Sequence, residues 1–319
     1  MRVRSLLAAL TVCSFMAPAM AQEAPKGAVS LINPFTVGGL TDLTARFLVD
    51  KSKAKFPAGI AVINRPGAGG SIGVTEIVQS KPDGSTVGLA PTASIIDQPQ
   101  INKLPYKSPD DFEPIINTIT YYQFLAVRAD APWKTIQELM DAVRAAPGKI
   151  RFGSSGIGTA SHLNLAQLMS SAKIDVVHAP FSGWAEGSAA LLGGHVDTLI
   201  INPGEGRQLV NAGRLRILAA FSPERSKFYP DVPTFKELGH DAAISLSFVV
   251  IGPKGLPDAT KAYFHDAFKA VLEDESFKTF AASREVAVNY MNSADAKEMV
   301  WREFKEHTAL LERLGLLAK

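Results

Sequence analysis

The chain has 319 residues, 46% hydrophobic and 20% charged, an ordinary globular composition long enough for two lobes, since single cores stop growing at about 250–300 residues. Its formal charge is +2, and Arg2 and Arg4 are the only charges before Gln22; without those two, the 33 Lys+Arg fall level with the 31 Asp+Glu. A neutral surface argues against nucleic acid or an anionic membrane as the main partner, and Cys13, the one cysteine, leaves the chain beyond it without a thiol for disulfide, metal or nucleophile.

Met1–Ala21 reads as a cleavable secretion signal: basic Arg2 and Arg4, an apolar Leu6–Met16, and Ala19-Met20-Ala21 as the small-x-small site, with cleavage after Ala21. The apolar run is too short for a membrane anchor, and Val12 stands before Cys13 where a lipoprotein signal requires a small residue. A soluble, exported protein is expected.

Ala28–Asn33 reads as a buried strand closed by Pro34, followed by a loop at Thr36–Thr41 in which Gly38-Gly39 permit backbone conformations that side chains forbid. The next helix carries Leu40, Leu43, Phe47 and Leu48 on one face, with Asp42 and Arg46 at i, i+4 on another. Ile60–Ile63 is a second strand, Asn64–Ser71 a glycine-rich loop opening a helix to Ser80, Lys81–Gly84 a turn, and Thr86–Ala90 a third strand. This β-loop-α repeat predicts a mostly parallel sheet flanked by helices.

After an irregular region rich in proline (Pro99, Pro105, Pro109, Pro114), Tyr122–Arg128 is read as a strand crossing into a second lobe. That lobe is expected to hold helices at Thr135–Ala146, Ala185–Leu192 and Glu205–Ala212, and a short one at Thr234–Leu238. Its strands fall at Asp175–Ala179, Val196–Ile201 and Leu215–Phe221, besides a strand-loop-helix at Ile150–Ser171. Ile244–Ile251 is read as the strand crossing back, and helices at Pro257–Glu273, Ser276–Ser283 and Ala294–Leu317 pack on the first lobe. Lobe one is thus discontinuous, residues 22–123 plus 245–319, and lobe two, 124–244, is inserted. Two crossing strands make a hinge suited to closing on a ligand.

Two strand-loop-helix stretches, Val29–Phe47 and Ile150–Ser171, offer free backbone N–H groups and a positive dipole end to an anion. They are expected to face each other across a cleft and hold one carboxylate. The first brings Phe35, Thr36, Gly38, Gly39 and Thr41; the second brings Ser155, Gly156, Gly158, Thr159, Ala160 and Ser161. A single Ser or Thr there is more often a helix cap, and it is the pairing of two glycine loops that favours a ligand. Asn202, at a strand end, is a further hydrogen-bonding candidate.

An outer set comprises Asp42, Thr92, His162, Phe181 and Trp184. Asp42 is read first as a complement to its helix dipole and partner of Arg46, and second as a contact for a ligand ammonium. His162 is read first as a cap or packing group, and Trp184 first as core cover.

Competing chemistries fail on spacing. Gly156-Ile157-Gly158-Thr159-Ala160-Ser161 misses the third glycine of a dinucleotide fingerprint, and no acid follows at the end of the next strand. Gly67–Gly70 lacks the Gly-Lys-Ser/Thr of a nucleotide P-loop, and a tight loop near the cleft is expected instead. The six histidines show no metal-ligand spacing, so neither metal nor cofactor is expected. Gly153-Ser154-Ser155-Gly156-Ile157 departs from a serine-hydrolase nucleophile elbow, leaving a secreted hydrolase as the weaker enzyme reading.

Five blocks then resemble one family. Pro34-Phe35, Gly38-Gly39, Asp42 and Ala45-Arg46 resemble its PFxxGGxxDxxAR start, and Asn64–Gly73 its NRPGAGGxxG block. Pro82-Asp83-Gly84 resembles its PDG turn, Gly153–His162 its GSSGxGTxSH loop, and Leu191–Asp197 its LLGGxxD segment. In order and spacing they cover essentially the whole chain after the signal. They resemble the solute-binding proteins of tripartite tricarboxylate transporters, the Bug family.

The resemblance implies a two-lobed, Venus-flytrap periplasmic protein of the type II kind, α/β in both lobes, that binds small carboxylates without catalysis. It implies delivery to a two-component integral membrane permease, and a monomer is expected. In the family, one ligand carboxylate is typically held by the loops matching Phe35–Thr41 and Ser155–Ser161 here. Phe181-Ser182 stands where many relatives carry Tyr-Lys, which leaves the distal pocket less cationic and disfavours citrate-like ligands. A di- or aromatic carboxylate is the expected ligand. A sensor feeding a membrane receptor would use the same fold.

Overall fold

The computed structural model describes residues 23–318; the expected signal 1–21 and its cleavage site lie outside them. Val29–Asn33 (β1), Leu40–Ser52 (α1), Ile60–Asn64 (β2), Ser71–Val78 (α2) and Thr86–Pro91 (β3) form the β-loop-α repeat read from the sequence. β1 lies between β2 and β3, parallel to both, with Leu31 opposite Val62 and Val87. Crossover helices cover both faces of such a unit, which is why β1 and β3 read as nearly continuous apolar runs.

Gln98–Ile101 (α3) leads to Phe112–Tyr121 (β4), a ten-residue strand where an irregular region was expected. Pro114 is tolerated because it faces Ile251 at a register irregularity of the ladder, where a missing N–H disturbs little. Only Tyr122 separates β4 from Gln123–Arg128 (β5) of the second sheet. The second lobe continues through Ile136–Ala145 (α4), Arg151–Ser154 (β6), Ala160–Ala172 (α5), Val177–Pro180 (β7) and Trp184–Leu192 (α6). It ends with Thr198–Ile201 (β8), Arg207–Asn211 (α7) and Leu215–Phe221 (β9). The chain returns as Leu246–Pro253 (β10), then Asp258–Glu273 (α8), Glu275–Ser283 (α9), Ala287–Met291 (β11) and Ser293–Arg313 (α10).

The first sheet has the order β11-β4-β10-β3-β1-β2, the second β7-β6-β8-β5-β9. Both are mixed, which corrects the expectation of mostly parallel sheets. Pairings inside each βαβ unit are parallel, whereas β4, β5 and β10, which border the two crossings, run against their neighbours. The crossings are also not strands that span both lobes: β5 belongs wholly to the second sheet and β10 to the first. Instead of a helix at Thr234–Leu238, Thr234 bridges Ala220 and a turn follows. Phe235 is drawn inward against Phe221, with ring centroids 4.5 Å apart, and that burial outweighs a helix too short to sustain itself.

Each lobe has its own core. In the first, Leu31, Phe248, Phe264, Phe268 and Phe277 are buried together; in the second, Leu125, Phe152, Leu168, Phe221 and Phe235 are. Because α1 follows β1 and α5 follows β6, both helices start at the carboxyl ends of parallel strands, where ligands of open α/β sheets sit. Phe248 is fully buried and packs edge-on against Tyr121 at 5.3 Å. Phe248→Ala should therefore lower stability by about 3–5 kcal/mol, read as a reduced urea midpoint.

Candidate functional site

α1 starts after Gly39 and α5 after Thr159, and neither of these residues caps its helix with its own side chain. Their first-turn N–H groups therefore depend on partners outside the helix. Both N-termini open on one cavity between the two sheets. Phe35, Thr36, Gly39, Leu40 and Thr41 line it from the first lobe; Ser155, Thr159, Ala160, Trp184, Asn202 and Glu205 line it from the second. Its free space is about 50 Å³, several times the roughly 10–15 Å³ that one water needs.

At the α5 end three hydroxyls converge. Ser161 Oγ lies 2.9 Å from both Ser155 Oγ and Thr159 Oγ1 and accepts the Ser155 N–H at 3.0 Å. Thr159 Oγ1 donates to the Gly156 carbonyl at 2.7 Å. Ser161 is fully buried and sets the positions of Ser155 and Thr159, the two that reach the cavity. Hydroxyl protons rotate, so such a cluster can turn an O–H toward an anion.

A carboxylate of the protein itself faces this cavity. Glu205 Oε1 accepts the Leu40 N–H of α1 at 3.2 Å and the Asn202 Nδ2 at 3.1 Å; Oε2 accepts the Asn202 backbone N–H at 3.2 Å. Asn202 Oδ1 in turn accepts from Gln123 at 2.9 Å, Gln123 Oε1 from Asn164 at 3.1 Å, and Asn164 Oδ1 from the Ile244 N–H at 2.9 Å. Burial pushes the Glu205 carboxyl above the usual range, and its three N–H donors pull it back only in part.

Several residues singled out from the sequence do other work. The N–H of Gly38 goes to Asp42 Oδ2 at 3.0 Å, that of Gly156 to Ser154 Oγ at 3.2 Å, and that of Gly158 to His162 Nδ1 at 3.1 Å. These glycine amides shape the loops and do not line the cavity. Asn202 reaches it, but its amide is engaged by Glu205 and Gln123. Asp42 is 1% exposed, outside the cavity, and bonded by Arg46 at 2.9 Å and Asn64 at 2.9 Å. Burial alone would raise its pKa; hydrogen bonds from Arg46, Gly38 and Asn64 outweigh it and hold the carboxyl below the usual range.

Thr92 accepts the Ser247 N–H at 3.3 Å and does not itself line the cavity. Phe181 lines a neighbouring pocket with Gly156 and the 67–70 loop. That loop runs close to the cleft: a Cβ at Gly69 would sit 2.0 Å from Gln98 Nε2, and one at Gly70 2.4 Å from Ser94 Oγ, both at positive φ.

Missed in the sequence were Glu205, Gln123, Tyr121, Ser94 and Ser154, all cavity-lining. A signal existed for Glu205, which follows the strand end at Asn202-Pro203-Gly204. Ser154 Oγ is 2.6 Å from His178 Nε2, whose ring stacks on His162 with centroids 4.5 Å apart.

Two lobes joined by two crossings, with a cavity of mixed polar and apolar lining between them, define a two-lobed α/β fold. Residues 44–316 match the family described as tripartite tricarboxylate transporter family receptor. The chain belongs to this family, and its family and fold are those of solute-binding proteins. It is 33% identical to a UPF0065 protein of Cupriavidus necator over 98% of this chain and 95% of that one. Among solved structures, the periplasmic binding protein BugD superposes with a TM-score of 0.86 at 26% identity, over 92% of this chain and 100% of that one. An adipate-bound protein of R. palustris superposes with a TM-score of 0.87 at 22% identity, over 93% and 100%, and shows the fold.

Burial, and next the neighbouring His162, bring the His178 imidazole down to about 4 from 6.5. Its folded value is the lower one, so as pH falls the unfolded chain takes the proton first. The stability tied to neutral His178 is complete above about 6.5, declines below it and levels off under about 4. Denaturant midpoints should drop more between about pH 7 and pH 4 in the natural chain than in His178→Gln; equal drops would refute this role.

Proposed function

We propose that the protein is exported to the periplasm, where, freed of its first 21 residues after Ala21, it captures a small organic carboxylate between its lobes. It then delivers this ligand, as a monomer, to a two-component integral membrane permease. The observation that carries this reading is the convergence of the α5 N-terminus, which has no side-chain cap, and the Ser155–Thr159–Ser161 hydroxyls on a cavity that the start of α1 also borders. Dipole ends and rotatable O–H donors both favour an anion. The family's description as a transporter receptor supports the permease as partner.

In this reading the lobes are 22–123 plus 245–319 and 124–244, with the two crossings between them, at Tyr122 and near residue 245, as the hinge. Ser155, Thr159 and Ala160 meet the carboxylate, with Phe35, Thr36, Gly39 and Thr41 opposite; Gly38, Gly156, Gly158, Ser161 and Asn202 position them. Closure follows from the ligand's greater affinity for the closed form. Of dicarboxylates and aromatic acids, Phe35, Tyr121 and Trp184 in the walls suit the second. We read this as binding without turnover, in keeping with the family's description as a transporter receptor.

Mass spectrometry of ligand released from the purified protein should find a carboxylic acid, and that acid should raise the Tm of the emptied protein by mass action. Ser155→Asp places an internal carboxylate where the ligand's would sit. Juxtaposed like charges cost several kcal/mol, so affinity should fall by about a hundredfold or more while the variant stays folded. Undiminished affinity in the folded variant would sink the assignment.

A further inference from the structure

Among the described residues lining the cavity, Glu205 alone carries a charge. Its oxygens both receive N–H donors, from Leu40, the Asn202 side chain and the Asn202 backbone, the arrangement that holds a carboxylate as an acceptor. No cation in the cavity wall answers it. Glu205 is part-buried and also borders an adjoining pocket with Arg284, but inside the cavity it meets no positive charge, and burying a carboxylate there without a partner is costly.

A second observation points the same way. The Leu40 N–H, at the first turn of α1, is already bonded to Glu205 across the cleft. The positive end of α1 thus holds the protein's own anion, while the α5 end offers the Ser155 hydroxyl and its first-turn N–H groups, left without a side-chain cap, to the cavity. One place is provided for a ligand carboxylate, and the opposite end of the space is acidic.

We propose that the ligand is a small monocarboxylate bearing an amine or ammonium group, its carboxylate at the N-terminus of α5 and its nitrogen donor on Glu205, and that Glu205 excludes dicarboxylates. This rests on the carboxylate-binding reading above and narrows it. The nitrogen supplies the missing positive charge or donor; a second carboxylate would face Glu205 with like charge and no cation between them. Selection by repulsion complements selection by attraction.

The test is isothermal titration of the mature protein, stripped of bound ligand, with two matched sets of acids. One set is butyrate, β-alanine and succinate; the other is 4-methylbenzoate, 4-(aminomethyl)benzoate and terephthalate. Within a set, only the group at the far end changes. The amine should bind most tightly, by roughly tenfold or more over the methyl compound, as expected for one charge-assisted hydrogen bond, and the dicarboxylate most weakly. Glu205→Gln, which keeps an acceptor for Leu40, should abolish the preference for the amine.

A dicarboxylate that binds the natural protein as tightly as its amine counterpart would overturn the proposal and leave the carboxylate reading standing. So would an amine preference that survives in Glu205→Gln. Absence of binding by all six acids would overturn both. The order of affinities in the natural protein decides the matter even if the variant does not fold.

Discussion

The hydrogen bond from the Leu40 N–H to Glu205 joins the lobes at the wall of the cavity between them. It closes a chain of amides that runs from Asn164 on α5 through Gln123 and Asn202 to the start of α1. Each side chain in that chain has its donors and acceptors matched to the next, so shifting one member would leave a polar group unsatisfied. The position of the acid, the polarity of the cavity's far end and the approach of α1 to the second lobe all follow from this arrangement.

The loops around the cavity are held by their own contacts before any ligand arrives. Asp42 secures the Gly38 amide, His162 that of Gly158, Ser154 that of Gly156, and Thr159 Oγ1 bonds the Gly156 carbonyl. Groups that are already ordered lose less freedom on binding, so more of the interaction with a ligand remains as affinity. The same economy explains why Gly39 and Thr159 leave their helices without side-chain caps. A cap there would satisfy the N–H groups internally and remove them from the site.

Contacts between the lobes combine polar pairs with an apolar seam, where Ala160 and Leu163 of α5 pack into the first lobe's core. Glu285, ahead of β11, accepts from the Tyr229 hydroxyl at 2.9 Å and the Gly204 N–H at 3.3 Å, with Arg207 3.7 Å away; Gln98 donates to the Ile157 carbonyl at 2.7 Å. Groups of this kind exchange their partners for water at little net cost, unlike the apolar clusters inside each lobe. Most of each core lies within one lobe, and a single residue separates β4 of the first sheet from β5 of the second.

Local pattern was enough for the βαβ units, because a 3.6-residue period beside an apolar run is written within a dozen residues, as in Leu40–Leu48 after β1. It was enough also for the two glycine loops and for Phe35, Thr36, Gly39, Thr41, Ser155, Thr159 and Ala160, which reach the cavity. It failed at β4, where Pro114 reads as a break until the irregular ladder with Ile251 makes room for it, and at β11, a short strand on the sheet edge. Which loop amides are engaged by side chains, and that Glu205 lines the cavity, only the tertiary structure decided. Leu40 and Glu205 stand 165 positions apart, and Gln123 and Asn202 stand 79 apart. A hydrogen bond depends on distance in space, and at such separations that distance is set by the packing of two sheets and the path of two crossings, which no local stretch of residues contains.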